Sequence, residues 1–299
     1  MKITSRFRSA GESSPRARAT TRGRSAGFVL ICVALFLVSV LAGFYLFFPN
    51  NALRERVVHE SASRADLTVT MDSLSLSPIF TLKAGGLAIR HEDLPVPVAI
   101  DQLTLAPEWT SLLSGDPGVS IEASVMGGAV SSIITKSGEV TAQGENVRLD
   151  LPIEEPFPLQ VNGQLSRLNF SGGTRLDTET SSELAMQLTD VQVIGLEMLN
   201  ANGGRLPLGE ITLNVEGQGR AMKVTTLSAE GGAFDVSGSG TVLIGRTAAS
   251  SRLNLSLQVK PTAQADPSLV SLLELSGQPS DNGAYTLRLS GTPTRPVLQ

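Results

Sequence analysis

Apolar and polar residues alternate one by one along much of the chain after residue 66. In RLNLSLQVK, at 252–260, every second residue is aliphatic and the residues between them are polar or charged. A period of two predicts strands with one buried and one solvated face. The same period occurs in LTVTMD (67–72), VSIEASV (119–125), VRLDLP (147–152), ELAMQL (183–188), ITLNVEG (211–217) and YTLRLSG (285–291).

Two glycine-rich phrases resemble each other, MGGAVSSIITKSG at 126–138 and EGGAFDVSGSG at 230–240. A phosphate-binding loop is one interpretation, but it requires a strand, a set glycine spacing and then a helix. An alternating run follows each glycine pair instead, so each phrase predicts a β-hairpin with its turn at the pair. Gly138 and Gly240 are then expected to end the returning strands. Repetition of one hairpin unit indicates an elongated sheet.

Two stretches of this region have helical signals. In 106–115, Pro107 suggests a helix start and Gly115 a stop. In 266–277, Asp266 suits an N-cap, Pro267 the first helical position and Gly277 the C-terminal cap. Both stretches are short, so they are expected to cover sheet ends rather than to form domains.

The predicted fold class is mainly β: an N-terminal single transmembrane helix followed by an elongated, curved, antiparallel sheet with one or two short helices. Long apolar strands separated by helices are absent from the sequence, which argues against a parallel α/β sheet. Roughly 16 strands at ~4.8 Å spacing would extend about 75 Å. The aliphatic faces would form a groove, and residues 67–299 are expected to form this β-rich domain.

The N-terminal region divides into three predicted segments. Residues 1–25 carry a formal charge of +6 without apolar periodicity, so they are expected to be a disordered cytoplasmic head. Residues 26–48 contain no charge, and 23 residues of helix reach about 35 Å, enough to cross a bilayer. Residues 49–66 predict a short juxtamembrane helix. The positive-inside rule then places residues 50–299 across the bacterial inner membrane, in the periplasm.

Composition and motifs give no indication of catalysis. Charged residues make up 17% of the chain and aromatic residues 4%, and no nucleophile elbow occurs. The sole cysteine, Cys32, lies in the predicted anchor, so the exported part has no disulfide. The candidate chemical residues are isolated or fall in strand-like runs and loops: His59, His91, the Glu154–Glu155 pair, and Asn169 and Asn254 in glycosylation-like sequons. We expect a protein that is not an enzyme, with no catalytic, cofactor-binding or metal-binding residues and no cofactor.

The order of segments resembles that of a known family. A basic head, a single anchor and a short amphipathic helix precede IDQLTLAPEWTSLLSGDPGVSIEASVMGGAVSSIITKSG, and YTLRLSGTPTRPVL closes the chain. This arrangement resembles the type II secretion system protein N family and, more distantly, the AsmA-like envelope proteins. The resemblance implies an inner-membrane component of the secretion machinery with a periplasmic β domain. The AsmA-like relatives imply a curved β groove that carries lipid.

Two functions follow as expectations. The first is an accessory subunit of a type II secretion system, anchored in the inner membrane, that contacts other secretion subunits through its β domain. The alternative is an AsmA-like lipid-binding or lipid-transfer module in which the apolar groove takes phospholipid. The partners are therefore the membrane, other secretion subunits and phospholipid, and a nucleic-acid partner is not expected.

Overall fold

The computed structural model describes residues 36, 56, 68–77, 80–90, 97–153, 158–175, 180–199, 204–245, 247–276, 279–293 and 295–298. The chain divides into two compact units, Met1–Phe48 and Pro49–Gln299. In the first unit only Phe36 is described, and its backbone is helical. The predicted segments 1–25, 26–48 and 49–66, with Cys32 and His59, lie outside the described residues apart from Phe36 and Arg56. Within the described residues, no helix has both the length and the apolar content needed to span a bilayer.

Arg56, in the second unit, has a helical backbone, and from residue 68 onward the described residues form sixteen strands, two α-helices and two short 3₁₀ helices, at Leu196–Leu199 and Ala248–Ser250. The helices are α1 (Trp109–Ser114) and α2 (Pro267–Ser276). The strands are β1 (Thr68–Thr70), β2 (Ser73–Leu76), β3 (Leu82–Arg90), β4 (Val98–Glu108), β5 (Gly118–Val125), β6 (Gly128–Thr135), β7 (Glu139–Glu145), β8 (Val147–Ile153), β9 (Leu159–Gly173), β10 (Ser181–Ile194), β11 (Arg205–Gln218), β12 (Ala221–Gly231), β13 (Phe234–Leu243), β14 (Arg252–Pro261), β15 (Tyr285–Thr292) and β16 (Arg295–Leu298).

All sixteen strands belong to one open antiparallel sheet in which spatial order follows chain order. The prediction of a mainly β fold with an antiparallel sheet and two short helices is therefore confirmed. The expected width is corrected, because β1 and β2 share the edge of β3, and β7 and β8 share the edge of β9. The sheet thus has 14 side-by-side positions. At ~4.8 Å spacing these span about 62 Å along the sheet rather than 75 Å.

Each shared edge is one long strand interrupted by a bend. Between β7 and β8, Asn146 has a left-handed backbone with φ of 58°. Asparagine tolerates this conformation better than most residues. Along the uninterrupted partner, β7 pairs with Leu168–Gly173 of β9 and β8 with Leu159–Leu165. The bend therefore redirects the strand without ending its pairing.

Both glycine pairs lie at hairpin turns, as the sequence predicted. Met126 and Gly127 form a two-residue loop between β5 and β6, both with positive φ, as type I′ turns require. Gly231, with φ of 79°, lies at the corresponding turn between β12 and β13. One expectation was wrong: Gly240 is inside β13, not at its end, and a Cβ there would lie 2.2 Å from the Asn254 carbonyl oxygen.

Both helical predictions are confirmed, with one correction to a boundary. Pro107 does not start a helix, because it pairs with Val119 in the β4–β5 ladder and α1 begins only at Trp109. In α2, Asp266 accepts a hydrogen bond from the Ser268 N–H at 2.8 Å, which is the N-cap interaction that the sequence indicated. The predicted cap Gly277 lies outside the described residues.

Two clusters of buried side chains lie on the same side of the sheet. In the larger, Leu269 of α2 packs with Phe234, Val259 and Leu287, and Leu196 of a 3₁₀ helix joins them. The smaller consists of Met71, Ala84 and Leu87 near the β1–β3 edge. The helix α2 therefore covers one end of strands β13–β15, and the two clusters lie at opposite ends of the strand order.

Candidate functional site

One side of the sheet is aliphatic from edge to edge. We call it the aliphatic face, and it can be followed through the strand register because paired residues point to the same side of a sheet. A single register row crosses all 14 positions, and only two of its members are not apolar. The row is Leu76, Leu82, Leu105, Ile121, Ser132, Ala142, Phe170, Leu184, Val215, Val224, Gly240, Leu255, Leu289 and Leu298.

The opposite side of the sheet, which we call the polar face, is formed by the residues that alternate with those of the aliphatic face along each strand. The adjacent register row from β4 to β11 shows this: Thr104, Glu122, Ser131, Gln143, Asn169, Ala185 and Asn214. The alternating apolar residues of all seven runs lie on the aliphatic face, apart from Leu67, which is outside the described residues; Ala185, the apolar residue between Leu184 and Met186, lies on the polar face. The alternation therefore identified the two faces correctly.

Along the register row above, the central part of the aliphatic face, from β5 to β11, is half buried. The side chains of this row lie outside both buried clusters, whereas other parts of β9, β10 and β11 pack against the larger cluster through Leu159, Val193 and Leu206. Ile121, Leu168, Met186 and Leu213 are of intermediate exposure, and Val119 is 46% exposed. Aliphatic side chains so arranged form a continuous apolar surface, and such surfaces on soluble domains typically mark binding sites.

The sheet ends in two open edges. At one edge lie β1 and β2, which are three and four residues long and separated by a bend. At the other lies β16, where Val297 and Leu298 are 50% and 55% exposed. Pro296 lacks an N–H, and short or proline-containing edges limit indiscriminate pairing between sheets. Each edge therefore offers a short, defined stretch of backbone to another strand.

A hydrogen-bonded turn is the clearest electrostatic feature of the described residues. Ser137 donates its hydroxyl to Oδ2 of Asp116 at 2.7 Å and its backbone N–H to Oδ1 at 3.0 Å. The hydroxyl bond is the main cause that lowers the pKa of Asp116, and Lys136 adds a smaller effect. The carboxylate joins the β6–β7 turn to the connection before β5, so its role is structural.

Of the candidate chemical residues, Asn169 and Asn254 are among the described residues, and they lie on strands that do not neighbour each other. Asn169 and Asn254 lie in the ladders of β9 and β14, as expected from their strand-like context. His91, Glu154 and Glu155 lie outside the described residues. Among the described residues, no group of three or more His, Cys, Asp or Glu side chains is placed to hold a metal ion.

Sequence reasoning missed several contributors to the aliphatic face. In β3 and β4, a register shift changes which residues face the aliphatic side, from every even-numbered to every odd-numbered residue or the reverse. In β4 the shift lies between Ile100 and Leu103, which both lie on the aliphatic face. In β13, Gly238 and Gly240 occupy aliphatic-face positions without a side chain. A search that allowed one extra residue within a period of two would have found β4.

The chain matches the family described as Type II secretion system (T2SS), protein N, over residues 97–288. This match covers more than half of the chain and extends from β4 into β15. Neither a curated protein nor a solved structure gives a significant match. The family match covers most strands of this sheet and supports a part in type II secretion. The chain belongs to the protein N family of that system.

Proposed function

We propose that the chain is an accessory, non-catalytic subunit of a type II secretion system, anchored in the inner membrane by residues 26–48 and exposing its β domain to the periplasm. The observation on which this rests is the family match across 97–288. The charge-free 26–48 stretch and the basic residues before it support the anchor and its orientation. The sheet itself supports a binding role, since an open edge can accept a strand from a partner.

In this proposal the sheet edges contact other secretion subunits. Strand addition draws its affinity from backbone hydrogen bonds and its specificity from side chains on alternate positions. β16 offers four residues for such pairing, and the β1–β2 edge offers two shorter stretches. A partner strand on β16 would also cover the exposed Val297 and Leu298 side chains.

Site-specific photocrosslinking in the native host tests the edge contacts. A photoreactive residue at Val297 or Ser75 is expected to capture secretion subunits, whereas one at Ser228, inside β12, is the matched control on the polar face. Deletion of the gene is expected to reduce exoprotein secretion. Normal secretion by the deletion strain, together with equal crosslinking at Val297 and Ser228, would contradict the proposal.

The half-buried central part of the aliphatic face favours a second candidate function. In this second proposal the sheet curves around this face to form a groove that holds the acyl chains of phospholipid. Burial of apolar surface contributes about 25 cal/mol per Å², so covering this strip would stabilise a bound lipid. Lipid binding and assembly are compatible, because lipid would bind the aliphatic face whereas partner subunits would bind the sheet edges.

A photoactivatable phospholipid distinguishes this second function. Crosslinks are expected on peptides that contain Leu168, Met186 or Leu213, and Met186→Asp is expected to reduce them at least fivefold. Gln187→Asp is the matched control, because Gln187 is next to Met186 in β10 but lies on the polar face. Equal labelling of both variants would exclude the groove.

A further inference from the structure

A wide cavity of about 920 Å³ opens on the polar face across strands β11–β15. Three cationic side chains line it, those of Lys223, Arg252 and Arg288, against the single carboxylate of Glu216 among its lining residues. The lining therefore has a formal net charge of +2. Arg295 of β16 pairs with Thr292, which lines the cavity, and adds a further positive charge beside it.

The positive charge of this cavity contrasts with the negative net charge of the rest of the chain after residue 25. Residues 26–299 sum to −10, because the whole chain is −4 and the first 25 residues are +6. Four other cavities open on the same face, and each is lined by more carboxylates than cations. One of them contains Glu122 and Glu145, and another Glu183 and Glu216. The concentration of cations at one cavity is therefore a local feature of the β12–β16 region.

The register places the cations around a row of neutral hydrogen-bonding groups. Thr241, Asn254 and Ser290 pair in sequence across β13, β14 and β15, and Lys223 begins this row on β12. Arg252 and Arg288 lie on opposite sides of the row. Each is two residues along its strand from the row, a Cα separation of about 7 Å.

Two arginines that flank one row of hydroxyl and amide groups, one on each side, suit an oxyanion bound between them. A guanidinium presents paired N–H donors that match phosphate oxygens, and an ammonium adds a third charge. The hydroxyl and amide groups supply further donors between them. We propose that this cavity is a binding site for a phosphate-bearing ligand, held by Arg252, Arg288 and Lys223.

The cavity has room for more than one phosphate group, so it can take an organic phosphate. The phosphate belongs either to a lipid headgroup or to a free organic phosphate. This site lies on the face opposite the aliphatic face and next to the β16 edge. Its proposed ligand contacts are the side chains of Arg252, Arg288 and Lys223, which belong to inner strands, so the proposal does not rest on the secretion or lipid functions.

Binding to the purified full chain in a neutral detergent tests the site. The probes are glycerol 3-phosphate and dihexanoyl phosphatidic acid, which share a phosphate monoester, with dihexanoyl phosphatidylcholine as the zwitterionic reference. Isothermal titration calorimetry at low and at moderate salt gives each dissociation constant. Equal affinity for the first two probes identifies a free organic phosphate as ligand, and at least tenfold tighter binding of phosphatidic acid identifies a lipid headgroup.

Variants assign the binding to this cavity rather than to the basic head, which every variant retains. Arg252→Gln with Arg288→Gln is expected to weaken binding at least tenfold. Arg167→Gln, also on the polar face but distant in the strand order, is the matched control and is expected to bind as the unaltered chain does. Glu216→Gln is expected to strengthen binding, because it removes the lining carboxylate. No binding of either phosphate probe, or binding that neither the arginine pair nor Glu216 affects, would overturn the proposal.

Discussion

The two glycines of each hairpin pair have different structural roles, and their alanine variants should separate them. Gly127 has φ of 82°, and a Cβ there would meet no atom within 4 Å. Gly128 has an ordinary backbone conformation, but its Cβ would lie 2.5 Å from Glu145 O, Asn146 C and Val147 N. The first glycine is required by its conformation and the second by the close approach of the β7–β8 bend.

The expected magnitudes follow from these two causes. Gly127→Ala adds only left-handed backbone strain, about 1 kcal/mol. Gly128→Ala forces the β6 end and the β7–β8 bend apart by about half an ångström or more, which resembles overpacking of a core and costs about 3 kcal/mol. It also stretches the hydrogen bond that the Arg148 N–H donates to the Met126 carbonyl, already 3.3 Å long.

The second hairpin repeats the same arrangement. A Cβ on Gly231 would meet nothing within 4 Å, whereas a Cβ on Gly232 would lie 2.5 Å from the Pro207 carbonyl oxygen. The Ala233 N–H donates to that same oxygen at 2.7 Å. The paired alanine variants at 231 and 232 should therefore differ in the same direction as those at 127 and 128.

Thermal unfolding of the full chain in a neutral detergent, followed by circular dichroism, measures the difference. For a domain of this size, 1 kcal/mol corresponds to roughly 2–4 °C in Tm. We expect Tm to fall by about 2–4 °C for Gly127→Ala and by about 6–12 °C for Gly128→Ala. Equal shifts for the two variants, or a larger shift for Gly127→Ala, would refute the assignment of the second glycine to backbone contact.

Three further predictions concern other parts of the second unit. Hydrogen bonds from Ser137 lower the pKa of Asp116, so their stabilising effect is complete above the unfolded-state pKa of Asp116 and is lost as the pH falls through its lower folded-state pKa. The Tm difference between the unaltered chain and Asp116→Asn should therefore vanish in acid. A Tm difference that grows in acid would contradict this sign. Asp266→Ala should destabilise α2 by about 1 kcal/mol, whereas Asp266→Asn, which keeps an N-cap acceptor, should cost little, as Tm measurements would show. Phe234→Ala, in the larger buried cluster, should cost about 3–5 kcal/mol, with Phe234→Leu substantially milder; chemical denaturation measures both, and a loss below 1 kcal/mol would show that α2 does not pack there.

The sequence was most informative where side-chain chemistry repeats regularly. Strict alternation in 252–260 and 211–217 identified β14 and β11 and also which face each residue occupies. Asp266 and Pro267 located the start of α2, because capping depends on residues adjacent in the chain. These signals are local, so one sequence contains them in full.

Features that depend on pairing between strands were less predictable. Pro107 suggested a helix start, but the β4–β5 ladder extends through it and delays the helix to Trp109. The bend at Asn146 places β7 and β8 on one partner, which no periodicity within either strand reveals. The cationic cavity joins Lys223, Arg252 and Arg288 from three strands, and only the register brings them to one face.

The agreement between spatial and chain order has a consequence for how this domain folds. Nearly every strand pairs with its immediate successor, so forming each pairing closes a shorter loop than pairing with a distant strand would, and shorter loops have lower closure costs. As the chain is synthesised or exported from its N-terminus, each new hairpin can add to those already formed. Growth in one direction requires no strand to wait for a distant partner, which shortens the time during which an aliphatic surface is exposed to aggregation.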